Sequence, residues 1–463
     1  MIDLTNLKNK RVLVVGLGKS GLSAAKFLRT FGARVTVSDT RSAVALAREI
    51  PSLLDAGIMV EAGGHGLLTF RRQDLIVVSP GVPLDTPEVA QVIGYGLPVM
   101  GELELASRFL QGGIIAVTGS NGKTTTTTLL GKIFSEAGVP TQVGGNIGLP
   151  VIELIAESTP ETVNVLEVSS FQLETADQFH PRIAVILNIT PDHLDRHHSF
   201  EAYVAAKEKI FARQTPADAL VLNADDRTTQ MCAAHAKSSS PEGGPNIYWF
   251  SATRVVRQGA FVRDGVVCWI EKEGAPAEPI LPLAEIPLKG THNVENVLAA
   301  VAAARLATIP AEKIRQSVAS FHAVEHRLEF VRCHQGVDFY NDSKATNVDA
   351  ALKAVQSFPG NIHLILGGKD KDSDYTLMAD ALKARVKTVY TIGSAAEKIE
   401  RELRGVVKIV PTGTLEVAVA EAVKSAAAGD VVLLAPACSS FDQFENYEHR
   451  GRTFRQLVMN LPV

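Results

Sequence analysis

Short apolar runs alternate with helical patterns along nearly the whole chain. In the first hundred residues, the runs at 11–16, 33–39 and 74–81 are typical of buried strands, and residues 20–32 have the periodicity of a helix. A strand, a helix and a second strand in succession favour parallel pairing, because the helix carries the chain back to the starting edge of the sheet. The pattern therefore predicts an α/β unit in this part of the chain.

A second unit of the same kind begins at residues 112–138, where a strand that ends at Val117, a glycine-rich turn and a helix follow one another. Residues 260–270 predict a β-hairpin, because an Asp-Gly pair at 264–265 readily adopts the positive φ angles of a tight turn. Residues 238–246 have the composition of a surface loop. Further strands of this unit are predicted at 163–171, 183–190 and 219–226.

The alternation of strands and helices restarts after about residue 324, which predicts a third unit. We therefore expect an α/β protein of three domains, which fits a chain of 463 residues because single hydrophobic cores stop growing well below that length. The predicted domains are a Rossmann-like N-terminal domain at 1–105, a P-loop ATPase-like central domain with a parallel sheet at 106–323, and a Rossmann-like C-terminal domain at 324–463.

Composition and charge narrow the class of function. The net charge of -4 argues against general nucleic-acid binding, which needs a basic surface. The four cysteines are far apart and form no CxxC pair, so we expect neither a zinc site nor a disulfide framework, as in a cytoplasmic protein. The N-terminus lacks the pattern of a signal peptide, and no apolar run approaches the roughly 20 residues that span a bilayer.

The motif TGSNGKTTT predicts a phosphate-binding loop in the second unit. Gly119 and Gly122 let the backbone amides turn inward around phosphate oxygens, and a helix that begins near Lys123 adds the partial positive charge of its N-terminus. Lys123 would neutralise the β- and γ-phosphates, and the hydroxyl of Thr124 would bind Mg²⁺. The full Walker pattern has one more glycine, so the chain matches the shortened form GxxGKT.

Acidic residues and a histidine follow the next two strands of the same unit. Glu167 ends one strand, as a Walker-B-type acid would, and the loop NITPDHLDRH concentrates Asp192, His193 and Asp195 after the other. Ligands of open α/β sheets bind at this carboxyl edge. Because Mg²⁺ prefers oxygen ligands, these residues are candidates for a metal–nucleotide site.

A second glycine-rich loop, GLGKSG, lies between the first predicted strand and the first predicted helix. It fits GxGxxG with Gly16, Gly18 and Gly21, and Asp39 closes the next strand, where an acid would bind a ribose hydroxyl. By itself the pattern is typical of NAD binding, but the same loop physics holds the diphosphate of any nucleotide. The first domain is therefore expected to bind either a redox cofactor or a nucleotide that serves as a handle.

The third unit places cationic and hydrogen-bonding side chains at the ends of its predicted strands. Arg327 lies near its beginning, and Asp342, Lys344 and Thr346 follow a strand within YNDSKATN. The segments GGKDKDSD and ACSSFDQFENY follow later strands. Such an edge suits an anionic partner.

Six motifs of the sequence are TGSNGKTT, EVSSFQL, NITPDHLDRH, GTHNVENVLAA, HRLE and NDSKATN. They occur in the order found in the Mur ligases, and the chain resembles this family over essentially its whole length. Mur ligases are the ATP-dependent amide-forming enzymes of bacterial cell-wall precursor synthesis. Within the family, SDTR, SPGVP and the ACSSFDQFENYEHRG tail are most similar to the ligases that add D-glutamate. The DNPR-type signature of the relatives that add diaminopimelate or lysine is not seen in the sequence.

The resemblance implies a three-substrate reaction. The γ-phosphate of ATP would pass to the carboxylate of the L-alanine on UDP-N-acetylmuramoyl-L-alanine, and the amine of D-glutamate would attack the resulting acyl phosphate. A carboxylate is a poor electrophile, so phosphorylation supplies a leaving group, and cations must gather the mutually repelling anions. The last domain would close over the central one, because water would otherwise hydrolyse the acyl phosphate.

The resemblance also implies catalytic and ATP-binding residues. The catalytic set would be Lys123, Glu167, His193, Lys207 and Arg327. Thr124 and Glu167 would hold one Mg²⁺, and His193 would hold a second together with Lys207, once a carbamate has turned its amine into an oxygen ligand. ATP would be held by Gly119, Ser120, Asn121, Gly122, Lys123, Thr124, Thr125, Asn293, Arg327, Asp342 and Lys344.

Two further sets would hold the other substrates. The UDP substrate would be held by Gly16, Lys19, Ser20, Asp39, Thr40, Arg41, Gly81 and Asn146. D-Glutamate would be held by Thr346, Lys371, Ser440 and Tyr447, with Lys369 as the alternative to Lys371 and with Tyr447 where D-glutamate ligases have phenylalanine. The expected partners are these small molecules, without nucleic acid or a membrane span, for a monomeric cytoplasmic enzyme.

Other functions stay open on the residues alone. A folylpolyglutamate synthase of the same superfamily should lack a complete nucleotide-type first domain, and this chain has about a hundred residues there. A ligase of the superfamily that adds a different amino acid is a further alternative. A NAD-dependent dehydrogenase would use GLGKSG but leave GSNGKTT unexplained, and a P-loop GTPase would need an NKxD-type motif, which the sequence lacks.

Overall fold

The computed structural model describes residue 4 and residues 6–238, 243–288, 290–321 and 325–462. Within them the chain forms three sheets in succession, each packed against helices, and the predicted α/β class is confirmed. The predicted joint near 324 and the middle of the predicted loop at 238–246 lie outside the described residues, and the domain limits stay predictions. No helix in the described part is long and apolar enough to cross a membrane.

The first sheet is built from β1 (Arg11–Val15), α1 (Lys19–Thr30), β2 (Arg34–Asp39), α2 (Ile50–Asp55), β3 (Met59–Ala62), α3 (Leu67–Arg71), β4 (Leu75–Val78), α4 (Pro87–Gly94), β5 (Val99–Gly101) and α5 (Glu102–Ser107). All its strands are parallel, in the order β3-β2-β1-β4-β5. The inner strands β1 and β4 are continuous runs of branched apolar residues, as expected for strands buried on both faces. The connection reverses between β1 and β4, so the crevice above their carboxyl ends is a binding position.

The central sheet is built from β6 (Gly113–Thr118), α6 (Lys123–Glu136), β7 (Thr141–Gly145), α7 (Val151–Leu154), β8 (Val163–Glu167), α8 (Ser170–Leu173), β9 (Ile183–Ile186), α9 (Leu194–His197), α10 (Phe200–Glu208), β10 (Ala219–Asn223), α11 (Arg227–Ser238), β11 (Asn246–Ser251), β12 (Gly259–Arg263), β13 (Val266–Ile270), β14 (Glu278–Pro282), α12 (Thr291–Leu306) and α13 (Ala311–Ala319). Short 3₁₀ helices lie at Ile155–Glu157, Lys209–Phe211 and Leu283–Glu285. Its strand order is β14-β13-β12-β11-β10-β9-β6-β8-β7. The phosphate loop follows β6, which lies between β9 and β8 in the sheet.

The third sheet is built from β15 (Glu329–His334), β16 (Val337–Asn341), α14 (Val348–Gln356), β17 (Ile362–Gly367), α15 (Ala379–Arg385), β18 (Val386–Ile392), α16 (Ala396–Glu402), β19 (Lys408–Gly413), α17 (Leu415–Ser425), β20 (Val431–Leu434) and α18 (Tyr447–Met459), with a 3₁₀ helix at Tyr375–Met378. The order is β15-β16-β20-β17-β18-β19, and only the first of these described pairings is antiparallel. The predicted site residues from Asp342 onward follow β16, β17 and β20, and Arg327 precedes β15, which is antiparallel to β16, so all of them lie at one edge of the sheet.

Local expectations succeed where periodicity is strong and fail at the sheet edges. The hairpin of β12 and β13 turns at Asp264 and Gly265 with φ angles of 52° and 75°, as predicted. It pairs antiparallel, as does β14, so the predicted parallel sheet has an antiparallel extension at one edge. The strand predicted at 163–171 ends at Glu167 instead, because Ser169 caps α8 through a capping box with Gln172. Edge strands such as β3 and β7 were not predicted, since their apolar pattern is weak.

Candidate active site

The phosphate loop between β6 and α6 is held in one shape by its neighbours. Gly122 has a φ of +88°, and a Cβ there would lie 2.1 Å from Oδ1 of Asn296 on α12, so only glycine fits. Asn188, which follows β9, clasps the loop with both ends of its amide. Its Oδ1 accepts from the backbone N–H of Asn121 at 2.8 Å, and its Nδ2 donates to the Asn121 carbonyl at 3.1 Å.

Lys123 is the cation of this loop. Its Nζ donates to the carbonyls of Gly119 and Ser120 at 2.7 and 2.9 Å. Burial lowers the pKa of Lys123, against the opposing attraction of Glu167. Two of the predicted ATP residues have hydroxyls that do not face solvent. The side chain of Thr125 is buried, and the hydroxyl of Ser120 donates to a backbone carbonyl at 2.9 Å.

A chain of hydrogen bonds joins the loop to the strand ends. Lys344 donates from Nζ to the Thr124 hydroxyl at 2.6 Å, and that hydroxyl donates to Oε2 of Glu167 at 2.7 Å. Asn146 donates from Nδ2 to the other Glu167 oxygen at 2.8 Å. The described residues contain no group of three or more His, Cys, Asp or Glu side chains placed to hold a metal ion. The Thr124 and Glu167 oxygens nevertheless fit Mg²⁺, which accepts few protein ligands and takes the rest from phosphates and water.

The loop after β9 brings an acid and a histidine to the same place. His193 has a left-handed φ of 55°, and its Nε2 lies 3.6 Å from Oδ2 of Asp192. Burial lowers the pKa of His193 to about 4, so the ring is neutral at pH 7 and keeps a lone pair. Burial is the largest influence on Asp192 and opposes its ionisation, but Lys371, with Nζ at 3.2 Å, together with His193, Asn347 and Lys123 outweighs it and lowers the pKa of Asp192 to about 2.

Lys207 on α10 is fully enclosed. Its Nζ donates to the Gly119 carbonyl at 2.9 Å and lies 4.6 Å from the centre of the Tyr203 ring. Burial, aided by the charge of Lys123, lowers the pKa of Lys207 well below its ordinary value. The amine therefore spends more time unprotonated than an exposed lysine does.

The predicted D-glutamate residues meet around a cavity of about 320 Å³. Thr346, Lys371, Ser440 and Tyr447 all line it, opposite Lys123, His193 and Lys207 of the central part. Asp192 is the one carboxylate among the described residues that line this cavity. The side chain of Lys369 is exposed and its backbone pairs with Ser439, so the geometry favours Lys371 over its alternative.

The predicted ATP residues of the later part of the chain line a narrow cavity beside the phosphate loop, with Asn293, Arg327, Asp342 and Lys344 on its wall. Nε of Arg327 is buried without a hydrogen-bond partner among the described residues, which suits an anionic ligand. Burial raises the pKa of Asp342 to about 7 and lowers the pKa of Lys344 to about 7.

A third cavity, of about 830 Å³, lies above the first sheet. All eight residues predicted for the UDP substrate line it, and His65 and Ser79, which the sequence did not single out, line it too. Both oxygens of Asp39 are already engaged, by the Leu17 N–H at 2.7 Å and by the backbone and side chain of Arg41. Asp39 thus shapes this loop and orients Arg41, in addition to any ribose contact.

The three cavities adjoin. Lys344 lines both the ATP-side cavity and the large cavity, while Asn146 and Tyr447 line both the large cavity and the 320 Å³ cavity. Of the predicted catalytic residues, Lys123, His193 and Lys207 meet at the 320 Å³ cavity, Glu167 lies behind Thr124, and Arg327 lies on the ATP side. Such an arrangement can hold three anionic ligands with their reacting ends at one point.

Comparison with known proteins accounts for nearly the whole chain. Family models match in three places: the Mur ligase MurD-like N-terminal domain at 10–101, the Mur ligase middle domain at 117–304, and the Mur ligase glutamate ligase domain at 326–438. A protein of Acidobacterium capsulatum named UDP-N-acetylmuramoylalanine–D-glutamate ligase is 66% identical over 98% of this chain and 97% of its own length. One of the same name from Koribacter versatilis is 55% identical, with 98% of each chain covered.

Solved structures share the fold at low sequence identity. A pseudomurein peptide ligase type C from Methanothermus fervidus has a TM-score of 0.60 at 21% identity, over 98% of this chain and 100% of its own. A UDP-N-acetylmuramate–alanine ligase from Thermotoga maritima has a TM-score of 0.59 at 20% identity, over 97% and 99%.

Proposed function

This chain belongs to the Mur ligase family, which confirms the resemblance of its motifs, and on that premise we propose that it is the ligase that joins D-glutamate to UDP-N-acetylmuramoyl-L-alanine at the expense of ATP. The relatives that match over the full length carry that activity in their name. The reaction forms an amide through an acyl phosphate and serves the synthesis of peptidoglycan precursors.

The observation that carries the proposal is the meeting of the three cavities. A ligase of this type must bring a nucleotide triphosphate, a carboxylate and an amino acid together, and Lys344, Asn146 and Tyr447 are the shared walls between the three spaces. A dehydrogenase would need only the large cavity. The phosphate loop, the narrow cavity beside it and the 320 Å³ cavity would then have no function.

In the first step the terminal carboxylate oxygen attacks the γ-phosphorus of ATP, an O–P bond forms, and ADP leaves with the electrons of the broken bond. Both reactants are anions, so their approach needs fixed positive charge in a dry site. Lys123 and Lys344 supply it from the loop and from the C-terminal part, and the unpartnered Nε of Arg327 supplies it from the ATP side. Lys123 and Lys344 are held by their own hydrogen bonds, so these two cations need little reorganisation during the step.

Two Mg²⁺ ions belong to the proposal. Thr124 and Glu167 would hold one, and His193 with a carbamate on Lys207 would hold the other, since a neutral imidazole and carboxylate-type oxygens are suitable ligands. When bound, they would neutralise charge on the phosphoryl oxygens. A carbamate forms when an unprotonated amine attacks CO₂ and loses a proton, and the buried Lys207 amine meets the first condition.

In the second step the D-glutamate ammonium group first loses a proton to solvent, and the free amine attacks the acyl carbonyl. A C–N bond forms, and inorganic phosphate leaves with the electrons of the broken C–O bond and takes up the second proton of the amine. Lys371 and the hydroxyls of Thr346 and Ser440 would hold the carboxylates of D-glutamate. Asp192 would draw the ammonium group, because it is the negative group among the described residues of that cavity.

A product assay tests the proposed amino acid. The protein is incubated with ATP, Mg²⁺ and UDP-N-acetylmuramoyl-L-alanine, and D-glutamate, L-glutamate, L-alanine and diaminopimelate are offered in competition. Mass spectrometry should find only the D-glutamyl product, and phosphate should be released only when all substrates are present. Equal phosphate release without any amino acid would indicate a simple ATPase.

An isotope experiment tests the acyl phosphate. The alanyl carboxylate of the UDP substrate is labelled with ¹⁸O. Because that oxygen bridges carbon and phosphorus before the amine attacks, one label per turnover should appear in inorganic phosphate. Unlabelled phosphate would exclude this route.

A labelling experiment tests the carbamate. ¹³C-bicarbonate should give one carbamate carbon signal in the intact protein, and Lys207→Gln should abolish it. Lys209→Gln, two residues along the chain, is the matched control and should keep the signal.

We also propose the cytoplasm as the place of action of this ligase. The reaction uses ATP, and the four cysteines are free thiols, with no disulfide among the described residues.

A further inference from the structure

The side chain of Asn121, in the phosphate loop, spans two parts of the molecule. Its Nδ2 donates to Oδ2 of Asp349 at 2.6 Å, and its Oδ1 lies 3.4 Å from Nδ2 of Asn347. Asn347 is the N-cap of α14 and Asp349 lies in the first turn of that helix. Both ends of one amide in the central part are therefore used on the start of one helix of the C-terminal part.

Asp349 gathers further donors on the same oxygen. Thr190, in the loop after β9, donates its hydroxyl at 3.3 Å, and Lys353, one turn along α14, lies at 3.0 Å. Two of the three donors come from the central part and one from the C-terminal part. A charged acceptor makes stronger hydrogen bonds than a neutral one, and Lys353 balances the charge of Asp349 from within α14.

Asp349 differs from the two lysines that link these parts of the chain, whereas Asn347, whose Nδ2 donates to Oδ2 of Asp192 at 2.9 Å, is a further link that lines none of the three cavities. Lys344 reaches Thr124 and Lys371 reaches Asp192, but these side chains line the cavities and are assigned to substrates. Asp349 is not among the residues that line the three substrate cavities. Besides its ion pair with Lys353 inside α14, its contacts hold the start of this helix against the phosphate loop and the loop after β9.

We propose that Asp349 is a positioning residue that latches the C-terminal domain onto the phosphate loop through Asn121 and Thr190. The reason for a latch is the way in which the 320 Å³ cavity, proposed above to bind D-glutamate and called the acceptor cavity from here on, is assembled. Thr346, Lys371 and Ser440 come from the C-terminal part, whereas His193 and Lys207 come from the central part. The cavity exists only while the two parts touch, and Asp349 favours that state without contacting a substrate.

The test compares three variants. Asp349→Ala removes the acceptor, and Asp349→Asn keeps an acceptor oxygen but loses the charge. Asp380→Ala is the matched control, because Asp380 is an exposed first-turn carboxylate of α15 in the same part of the chain. Small-angle X-ray scattering of each protein alone reports how compact it is, and steady-state kinetics separate kcat from KM.

Asp349→Ala should have a larger radius of gyration than the parent protein, a kcat about ten-fold lower and a higher KM for D-glutamate, since hydrogen bonds to a charged group shift such an equilibrium by about this factor. The KM for the UDP substrate should change less than two-fold, because its cavity is mainly on the first sheet. Asp349→Asn should stay within three-fold of the parent kcat, and Asp380→Ala should match the parent in every measurement.

Equal scattering curves for Asp349→Ala and Asp380→Ala would overturn the latch. So would a loss in Asp349→Asn as large as in Asp349→Ala, because the acceptor oxygen is retained there. The kinetic half of the test rests on the proposed function and the scattering half does not. If the parent protein failed to use D-glutamate, the scattering comparison would still decide whether Asp349 joins the two parts.

Discussion

At the scale of single residues, burial is what makes the lysines of this site chemically useful. Lys123, Lys207 and Lys344 are ordinary lysines by sequence, yet burial lowers the pKa of each of them. A desolvated cation gains more from an anion brought beside it than an exposed one does. This burial supports the proposed roles of the three amines toward phosphate, CO₂ or a carboxylate, whereas Lys369 nearby is exposed.

Lys123→Ala should abolish ligase turnover, lowering kcat by at least a thousand-fold, because the cation beside the transferring phosphoryl group is lost. Binding of the UDP substrate, measured by calorimetry, should stay within about three-fold, since its cavity is lined mainly by other residues. Lys132→Ala on the same helix is the control, because Lys132 pairs only with Glu136. Loss of UDP-substrate binding as well would indicate misfolding or a wrong assignment of the cavities.

The buried carboxyl group of Glu102 should make the free energy of unfolding depend on pH. Its Oε1 accepts from the Ile152 N–H at 2.7 Å, its Oε2 has no described partner, and burial raises the pKa of Glu102 to about 7. The folded state then binds more protons than the unfolded state between about pH 4.5 and pH 7. Stability is therefore lost as the pH rises through this window, and the loss is complete above it.

Glu102→Gln, which keeps the acceptor for Ile152, should remove that loss. The variant should gain about 2 kcal/mol over the parent protein on going from pH 5 to pH 8, as measured by urea unfolding. Glu157→Gln, whose carboxyl lies in the 3₁₀ helix at Ile155–Glu157 and is not buried, should show no such gain. A constant difference between variant and parent at both pH values would contradict a raised pKa.

At the scale of elements, the connection between the first and second sheets is held by carboxylates of a single short helix. Glu102 and Glu104 on α5 are both about 1% exposed. Oε2 of Glu104 accepts from three successive backbone N–H groups, at 177–179, and Glu102 accepts from the start of α7. These bonds satisfy backbone donors that are partly or fully buried, so α5 fixes both the loop at 177–179 and the start of α7.

The GLGKSG loop between β1 and α1 predicts that two of its glycines differ in how much stability the protein loses when they are replaced by alanine. A Cβ at Gly21 would lie 1.9 Å from the Gly16 carbonyl, and backbone cannot move aside, whereas a Cβ at Gly18 would meet nothing within 4 Å. Gly21→Ala should destabilise the first domain by about 3 kcal/mol. Thermal unfolding should show this loss, and Gly18→Ala should melt within a degree or two of the parent protein.

Equal melting temperatures for the two glycine variants would mean that the loop tolerates a side chain at Gly21. The third glycine of the motif would then serve ligand approach rather than packing of α1 against β1. The same pair also separates stability from binding, since Gly18 lines the large cavity.

At the scale of the whole molecule, the carboxyl edges of three sheets meet around adjoining cavities. Every residue set proposed for a substrate comes from one chain, and Lys344, Asn146 and Tyr447 join the spaces. The described residues that line these cavities come from one chain, and the monomer expected from the sequence stays a prediction.

Light scattering of the purified protein should therefore give the mass of a single chain. The specific activity should stay constant over a hundred-fold range of enzyme concentration, because the site is complete within one molecule. A fall in specific activity on dilution would mean that a partner copy contributes to catalysis. Supplementing the diluted enzyme with the inactive Lys123→Ala variant would then restore activity.

The sequence by itself determined the local features: three runs of alternating strands and helices, two glycine-rich loops at strand ends, and the motifs that reveal the family. These follow from periodicity and backbone freedom, which act over a few residues. Each residue set that the family resemblance implied for a substrate lines one cavity or lies beside it, because residues that follow parallel strands share an edge, and the assignment of the substrates to these cavities stays a prediction.

Only the tertiary structure decided which distant residues touch and which charges are buried. Lys344 reaches a hydroxyl 220 positions away, Asn121 meets Asp349, and Lys371 rather than Lys369 lines the acceptor cavity. No local pattern encodes these choices, since they depend on how the three sheets pack against one another. The lowered pKa of Lys207 is of the same kind, because desolvation depends on the atoms that surround a group and not on its neighbours in the chain.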